Sequence, residues 1–290
     1  MTEKTDQPKK LVLKGDKKLL ENPVMGSLMV PIAIVLVGAL VIFGVTKMLS
    51  TETSYKDHVR ELQSKTFGNK WIAAFELSKK IASSQIPNED LPWLIENLSD
   101  VYKNSPDGRT RDFVVVALGA LKHESVLPWL TLALEDESAD AKFHAIVAIG
   151  NMENVSNMNW KKVEKFFSDE DHALRQAVVL AAGTHRVKEL ENLVVARLTD
   201  ESVSVRYAAA TSLVYYKNEQ GLGVISDILF NSHERGFDVN QQMSLKLNVL
   251  NAIGKIKWER LKEVVQRVVN EDNNLKVTTK AQEVLISLKN

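Results

Sequence analysis

No cysteine occurs among the 290 residues, which removes disulfides, thiolate catalysis and cysteine-ligated zinc or iron–sulfur centres. That absence suits the cytosol and an exported bacterial protein equally. Neither sign of charge is in excess: 37 Lys and Arg face 37 Asp and Glu, with a pI near 7.0. A chain without a basic field has no electrostatic footprint for a phosphate backbone, so no nucleic-acid partner is expected. The G-x-S-x-G, P-loop and G-x-G-x-x-G motifs are also missing, and GLG at 221–223 merely starts a helix. No cofactor, metal or small-molecule substrate is therefore expected. What remains is 44% apolar content, sufficient for a substantial core.

One stretch lacks charge altogether, the 25 residues between Glu21 and Lys47. Its core, VMGSLMVPIAIVLVGALVIFGV (24–45), is long enough to cross a hydrocarbon layer about 30 Å thick at about 1.5 Å per residue. Pro31 is tolerable in a membrane helix. A cleaved signal peptide fits less well, because a 21-residue polar segment precedes the run and no A-x-A site follows it. The expected organisation is a basic tail over 1–22, a transmembrane helix over 23–46, a juxtamembrane linker over 47–54 and a helical array over 55–290. Six lysines precede the helix, whereas Lys47, Lys56, Arg60 and Lys65 follow it. That bias favours a cytoplasmic N-terminus and an array on the exported side, periplasmic in a bacterium. The linker reaches at most about 26 Å, at about 3.3 Å per residue, and would hold the array near the bilayer. A subunit of a membrane complex is thus a more natural protein partner than a soluble one.

A ten-residue phrase recurs seven times between residues 70 and 286. The clearest copies are TRDFVVVALG (110–119), AKFHAIVAIG (141–150), LRQAVVLAAG (174–183) and LKLNVLNAIG (245–254). VRYAAATSLV (205–214) lacks the glycine, and NKWIAAFELS (69–78) and VTTKAQEVLI (277–286) are degenerate. The second positions, Lys70, Arg111, Lys142, Arg175, Arg206, Lys246 and Thr278, are spaced by 41, 31, 33, 31, 40 and 32 residues. A period near 31 with two insertions of about nine residues is the pattern of a helical-repeat array. Each phrase reads as the second helix of a pair, with its glycine at or near a left-handed C-cap. The first helices are also legible: LPWLIENLSDVY (91–102) and LPWLTLALED (127–136) carry Pro92 and Pro128 in their first turns. NWKKVEKFFSDED (159–171) and three later segments continue the series with apolar residues at helical spacing.

The acidic turn followed by basic-x-x-A-x-x-A-L-G, as in DESVSVRYAAATSL (200–213), resembles HEAT repeats of the short bacterial, PBS-lyase-like type. The resemblance spans roughly residues 55–290. It implies an all-α fold, a right-handed α-solenoid of about seven helix pairs. It also implies a structural ladder of stacked turn charges, with Asp136, Asp169 and Asp200 each six residues ahead of Lys142, Arg175 and Arg206. Architecture of this kind says little about chemistry. Deoxyhypusine hydroxylase, similar in architecture, binds di-iron through paired His-Glu motifs. Here His123–Glu124 and His233–Glu234 both fall in connections, about 110 residues apart, too few and wrongly placed for that pattern. His144, the only histidine within a phrase, reads as a partly buried packing residue. Bilin lyases share the repeat type, but no residue set of theirs maps onto this chain. A scaffold that binds a protein partner, with no catalytic site, is the expectation.

In a paired-helix solenoid, phrase positions 1, 4, 5, 8 and 9 should face the core, while 3 and 7 project to the inner surface. Those inner positions hold Trp71/Phe75, Asp112/Val116, Phe143/Val147, Gln176/Leu180, Tyr207/Thr211 and Leu247/Asn251, with Val115, Ile146, Val179 and Leu250 added at position 6. Trp71, Phe75, Phe143, Val147, Leu180, Tyr207 and Leu247 form an apolar stripe. Either tight packing or the chain's own loops cover it, or another protein does. In the last repeat Thr279, Gln282 and Glu283 are polar, as an end cap requires.

Overall fold

The computed structural model describes residues 54–64, 70–83 and 86–289. The basic tail, the transmembrane helix read over 23–46 and almost all of the linker lie outside the described residues. Among the described residues there is no strand, and no helix is long and apolar enough to cross a membrane.

Ser54–Asn290 folds as one compact unit of paired helices. In chain order these are α1 (Tyr55–Gln63), α2 (Lys70–Ala82), α3 (Leu91–Asn104), α4 (Gly108–Ala120), α5 (Leu127–Ala133) and α6 (Ala139–Asn151). A nine-residue 3-10 helix, Trp160–Ser168, pairs with α7 (His172–His185). Then follow α8 (Glu191–Ala196), α9 (Val203–Tyr216), α10 (Leu222–Ser226), α11 (Val239–Ile256), α12 (Lys262–Glu271) and α13 (Leu275–Ser287). The phrases form α2, α4, α6, α7, α9, α11 and α13, and each packs on the next to make one row.

Local chemistry sets the helix starts. Asp107, Ser138, Asp171, Asp238 and Asn274 accept backbone N–H groups of the first turns of α4, α6, α7, α11 and α13. Pro92 and Pro128 occupy the first turns of α3 and α5, as the sequence suggests. Trp160–Ser168 departs from the expected α-helix: Val163 and Phe166 stack three residues apart on its buried edge, the spacing of a three-residue turn.

α4 and α6 end on the residue after the phrase glycine, α7 and α11 run one residue further, and no phrase glycine is left-handed. Lys122, Arg186, Lys217 and Lys257 hold the left-handed positions instead, with φ between 49° and 53°. At Arg186 and Lys217 the following N–H groups, of Val187 and Asn218, donate back to the carbonyls of Ala182 and Leu213. Those orphan carbonyls are thereby satisfied, and the cationic side chains suit the negative end of the helix dipole. The glycines act at the contacts between rows. A Cβ on Gly119 would lie 2.5 Å from the Ala148 Cβ, and one on Gly183 would lie 2.4 Å from the Ser212 Cβ. Successive phrase helices approach so closely that only hydrogen fits there.

Core positions in the phrases are 1, 5, 6, 8 and 9, as in α6, where Ala141, Ala145, Ile146, Ala148 and Ile149 are all buried. Relative to the expected register, position 6 takes the place of position 4 in the core of α4 and α6, whereas Ala177 and Ala208, at position 4 of α7 and α9, stay buried. Position 6 turns inward against the next phrase helix: Val115, Ile146, Val179 and Leu250 are fully buried, and they leave the stripe. Position 4 turns outward in its place where the neighbours allow. At the C-terminal end Thr279, Gln282 and Glu283 are exposed, in keeping with a polar last repeat.

Candidate partner-binding face

The turns are cross-linked by a ladder of charges, although not with the offset that the sequence suggests. Arg111 donates from Nε and Nη2 to the Asp136 carboxylate, both at 2.9 Å. Arg175 does the same to Asp200 at 3.0 and 2.9 Å, and Lys246 reaches Asp272 at 2.6 Å. Each cation thus pairs with the acid of the next repeat, 25 or 26 residues on. With its own turn it bonds only through backbone: Arg175 Nη1 donates to the carbonyls of Asp169 (2.7 Å) and Glu170 (3.0 Å). Asp136, Asp169, Asp200 and Asp272 each accept the N–H two residues ahead, which bends the chain into the following helix.

Among the described residues Arg206 and Lys142 form no such rung. Arg206 reaches its own turn's carbonyls, Asp200 at 2.6 Å and Glu201 at 3.0 Å, but the residue 25 further on is the neutral Asn231. Lys142 and Asp169 are 27 residues apart, outside the offset of the formed rungs, and make no ion pair. Burial opposes ionisation of Asp136 and Asp200, yet the guanidinium of Arg111 or Arg175 and a backbone N–H hold both carboxyls below their usual range. These charges hold turns together; Arg175 and Asp200 are themselves buried.

Above this scaffold the phrase helices leave one face open. Trp71 is half-buried and Phe75 is 40% exposed. Their rings gather around Phe113 of α4, with centroids 5.6 Å away in both cases. The guanidinium of Arg109 lies 3.8 Å above Trp71. Val116, Phe143 and Val147 are half-buried beside them, and Leu180 is 38% exposed on α7. Phe113 and Ile72, position-four residues assigned to the core by sequence, belong to this face; Ile72 is 40% exposed. A register shifted toward position 4 would have found them.

The stripe does not continue evenly. Tyr207 is 1% exposed and is a core residue, not a docking surface. The insertion after α10 folds over it, Phe237 lying 5.6 Å from its ring. Leu247 on α11 is half-buried and packs against the C-terminal core. The open apolar surface therefore runs from α2 to α7, with Trp71, Phe75, Phe143, Val147 and Leu180 in it.

His144 has a partner that the linear sequence conceals. Asp112, buried on α4, meets His144 Nδ1 on α6 at 2.6 Å. That hydrogen bond raises the His144 pKa against the opposing effect of burial. His185 behaves oppositely: burial lowers its pKa, and it hydrogen-bonds the Ile149 carbonyl at 2.9 Å. His123 and His233 are exposed, and His123 Nδ1 accepts the Ser125 N–H as a turn cap. Among the described residues no three His, Asp or Glu side chains converge as a metal site would require.

No protein-family model matches the chain, and no curated protein matches it. Solved structures do. The Escherichia coli protein YibA aligns at 15% identity with a TM-score of 0.53, over 82% of this chain and 83% of its own. The complex of CpcE and CpcF of phycocyanin lyase, from a Nostoc species, aligns at 15% identity and a TM-score of 0.58, over 82% and 96%. At such identity the likeness shows the fold alone. This chain carries the all-helical repeat fold of those structures.

Proposed function

We propose that this chain is a membrane-anchored helical-repeat scaffold that holds a protein partner, a subunit of a membrane complex, on the open face of α2–α7 and carries no catalytic site. The observation behind the reading is the uneven cover of one register. At Tyr207 the chain's own insertion shelters the apolar row, whereas Phe75 and Leu180 stand 40% and 38% exposed, and among the described residues no insertion folds over them. A contiguous apolar surface with aromatic and arginine side chains is the composition of an interface core. A bilin-lyase-like activity is the alternative; its support is the fold shared with the CpcE–CpcF complex, which is shared equally by a scaffold.

Phe75→Glu together with Leu180→Glu should abolish co-purification of the partner from detergent extracts and leave the helical circular-dichroism signal intact, because exposed positions tolerate charge. A folded double variant that retains its partner would sink the reading. Membrane placement has its own test. A phosphatase reporter fused after Asn290 in a bacterial host should be active only on the exported side, in line with the lysine bias ahead of the apolar segment. An active cytoplasmic reporter at that position would reverse the orientation.

A further inference from the structure

One part of the inner face is already occupied, and the occupant is the chain itself. Ser232–Arg235 forms a 3-10 turn, and Gly236 follows at φ 80°, a left-handed conformation suited to glycine. The turn lays Phe237 on Tyr207 with their planes 33° apart. Two residues earlier, Arg235 donates from Nη2 and Nε to the Asp227 carboxylate at 3.2 and 3.3 Å. Tyr207 donates its hydroxyl to the same carboxylate at 2.7 Å. Tyr207 stands at phrase position three, the register of Phe143. The strap therefore displays what this row accepts: an aromatic ring, with an arginine one residue removed that seats on a neighbouring carboxylate.

One open repeat, on α6, offers a comparable aromatic and carboxylate, with the acid supplied by the same helix. Phe143 is half-buried, and Asp140 lies three residues before it, so the two side chains neighbour each other on α6. Asp140 is exposed and makes no ion pair among the described residues. The Arg109 guanidinium, 3.8 Å from the Trp71 ring centroid, shows that an arginine also rests on this surface. We propose that the open stripe binds an extended segment of a partner protein bearing arginine, any residue, then an aromatic. The incoming ring packs on Phe143, and the incoming guanidinium pairs with Asp140 in a charge-assisted hydrogen bond. This rests on the inner face being a partner site and adds the chemistry of the occupant.

The probe is a fluorescein-labelled peptide copying residues 232–239, SHERGFDV, titrated into the full-length chain in detergent micelles and read by anisotropy. The strap's own position is closed to it, since the tethered copy competes at a far higher effective concentration. Saturable binding is expected, weakened roughly tenfold by Asp140→Asn, by Phe143→Ala and by Arg235→Ala or Phe237→Ala in the peptide. Asp140→Asn should leave binding of the Arg235→Ala peptide unchanged, because the lost partner is the same. Asp140 is exposed, so its amide variant stays folded. No saturable binding to folded protein, or undiminished binding by Asp140→Asn, overturns the proposal. Should the peptide fail while Phe75→Glu with Leu180→Glu still strips the partner, the occupant chemistry falls and the partner site stands. Should both fail, the partner site falls as well.

Discussion

Arg175→Ala is expected to destabilise the repeat array by about 3–5 kcal/mol, and Arg206→Ala by no more than about 1 kcal/mol. The two arginines occupy the same phrase position, and their surroundings separate them. The side chains of Arg175 and Asp200 are 5% and 2% exposed, joined by a bidentate pair across two repeats. Removing the guanidinium leaves the Asp200 carboxylate buried with only the Ser202 N–H at 2.9 Å and Arg197 at 3.5 Å. Arg206 gives up two carbonyl contacts within its own turn and strands no charge. Pairing Arg175→Met with Asp200→Leu should recover part of the loss, because the buried carboxylate goes with its main partner; Arg197 and the Ser202 N–H, which lose an acceptor, limit the recovery.

Acid titration reads the same pair. The folded Asp200 carboxyl is held below its ordinary value, so its contribution is complete above an unfolded pKa of about 3.9. It fades as pH falls through the lowered folded value. The gap in melting temperature between parent and Arg175→Ala should therefore be full at neutral pH and close toward strong acid. Equal melting of the parent and Arg175→Ala at pH 7 would show that this rung contributes nothing.

The array was legible because its evidence is local. Proline in a first turn, a cap residue before an apolar run and a period near 31 are all visible within a few dozen residues, and each corresponds to a helix that formed. The misreadings share the opposite property. Asp200 lies six residues before Arg206 and 25 after Arg175, and only the stacking of turns decides that the distant arginine takes its carboxylate. Asp112 and His144 look unrelated in sequence and touch because α4 and α6 are neighbours. Periodicity marked an apolar row through Tyr207 but could not say that residues 235–237 return to cover it. The error in register has the same origin: phrase helices draw together along their glycine contacts, and position 6 lies inward against the next helix.

Those glycines supply the second large effect. In an ordinary helix interior Gly→Ala gains about 1 kcal/mol. Gly183→Ala is expected to do the reverse and cost about 1–3 kcal/mol, as overpacked contacts do. Its new methyl would stand 2.8 Å from the Ser212 Cα as well as against the side chain, so backbone and not a rotamer must yield. Ser212 resists, because its hydroxyl donates to the Val179 carbonyl at 2.9 Å and ties α9 to α7. Gly119→Ala, facing Ala148 at 2.5 Å, should behave alike, and Gly150→Ala, with Ala181 atoms at 3.1–3.2 Å, should lose less. Gly223→Ala is the internal control: nothing lies within 4 Å of its new Cβ, so the ordinary gain should appear. At about 2–4 °C per kcal/mol, thermal melts followed by circular dichroism resolve this order. Ser212→Gly placed in the Gly183→Ala background moves the methyl to the other helix and should return much of the stability. The spacing of α7 and α9 also sets how the inner face is presented, so Gly183→Ala should weaken partner retention even while the helices persist. A Gly183→Ala protein that melts above its parent would mean that these helices do not approach as closely as the structure places them.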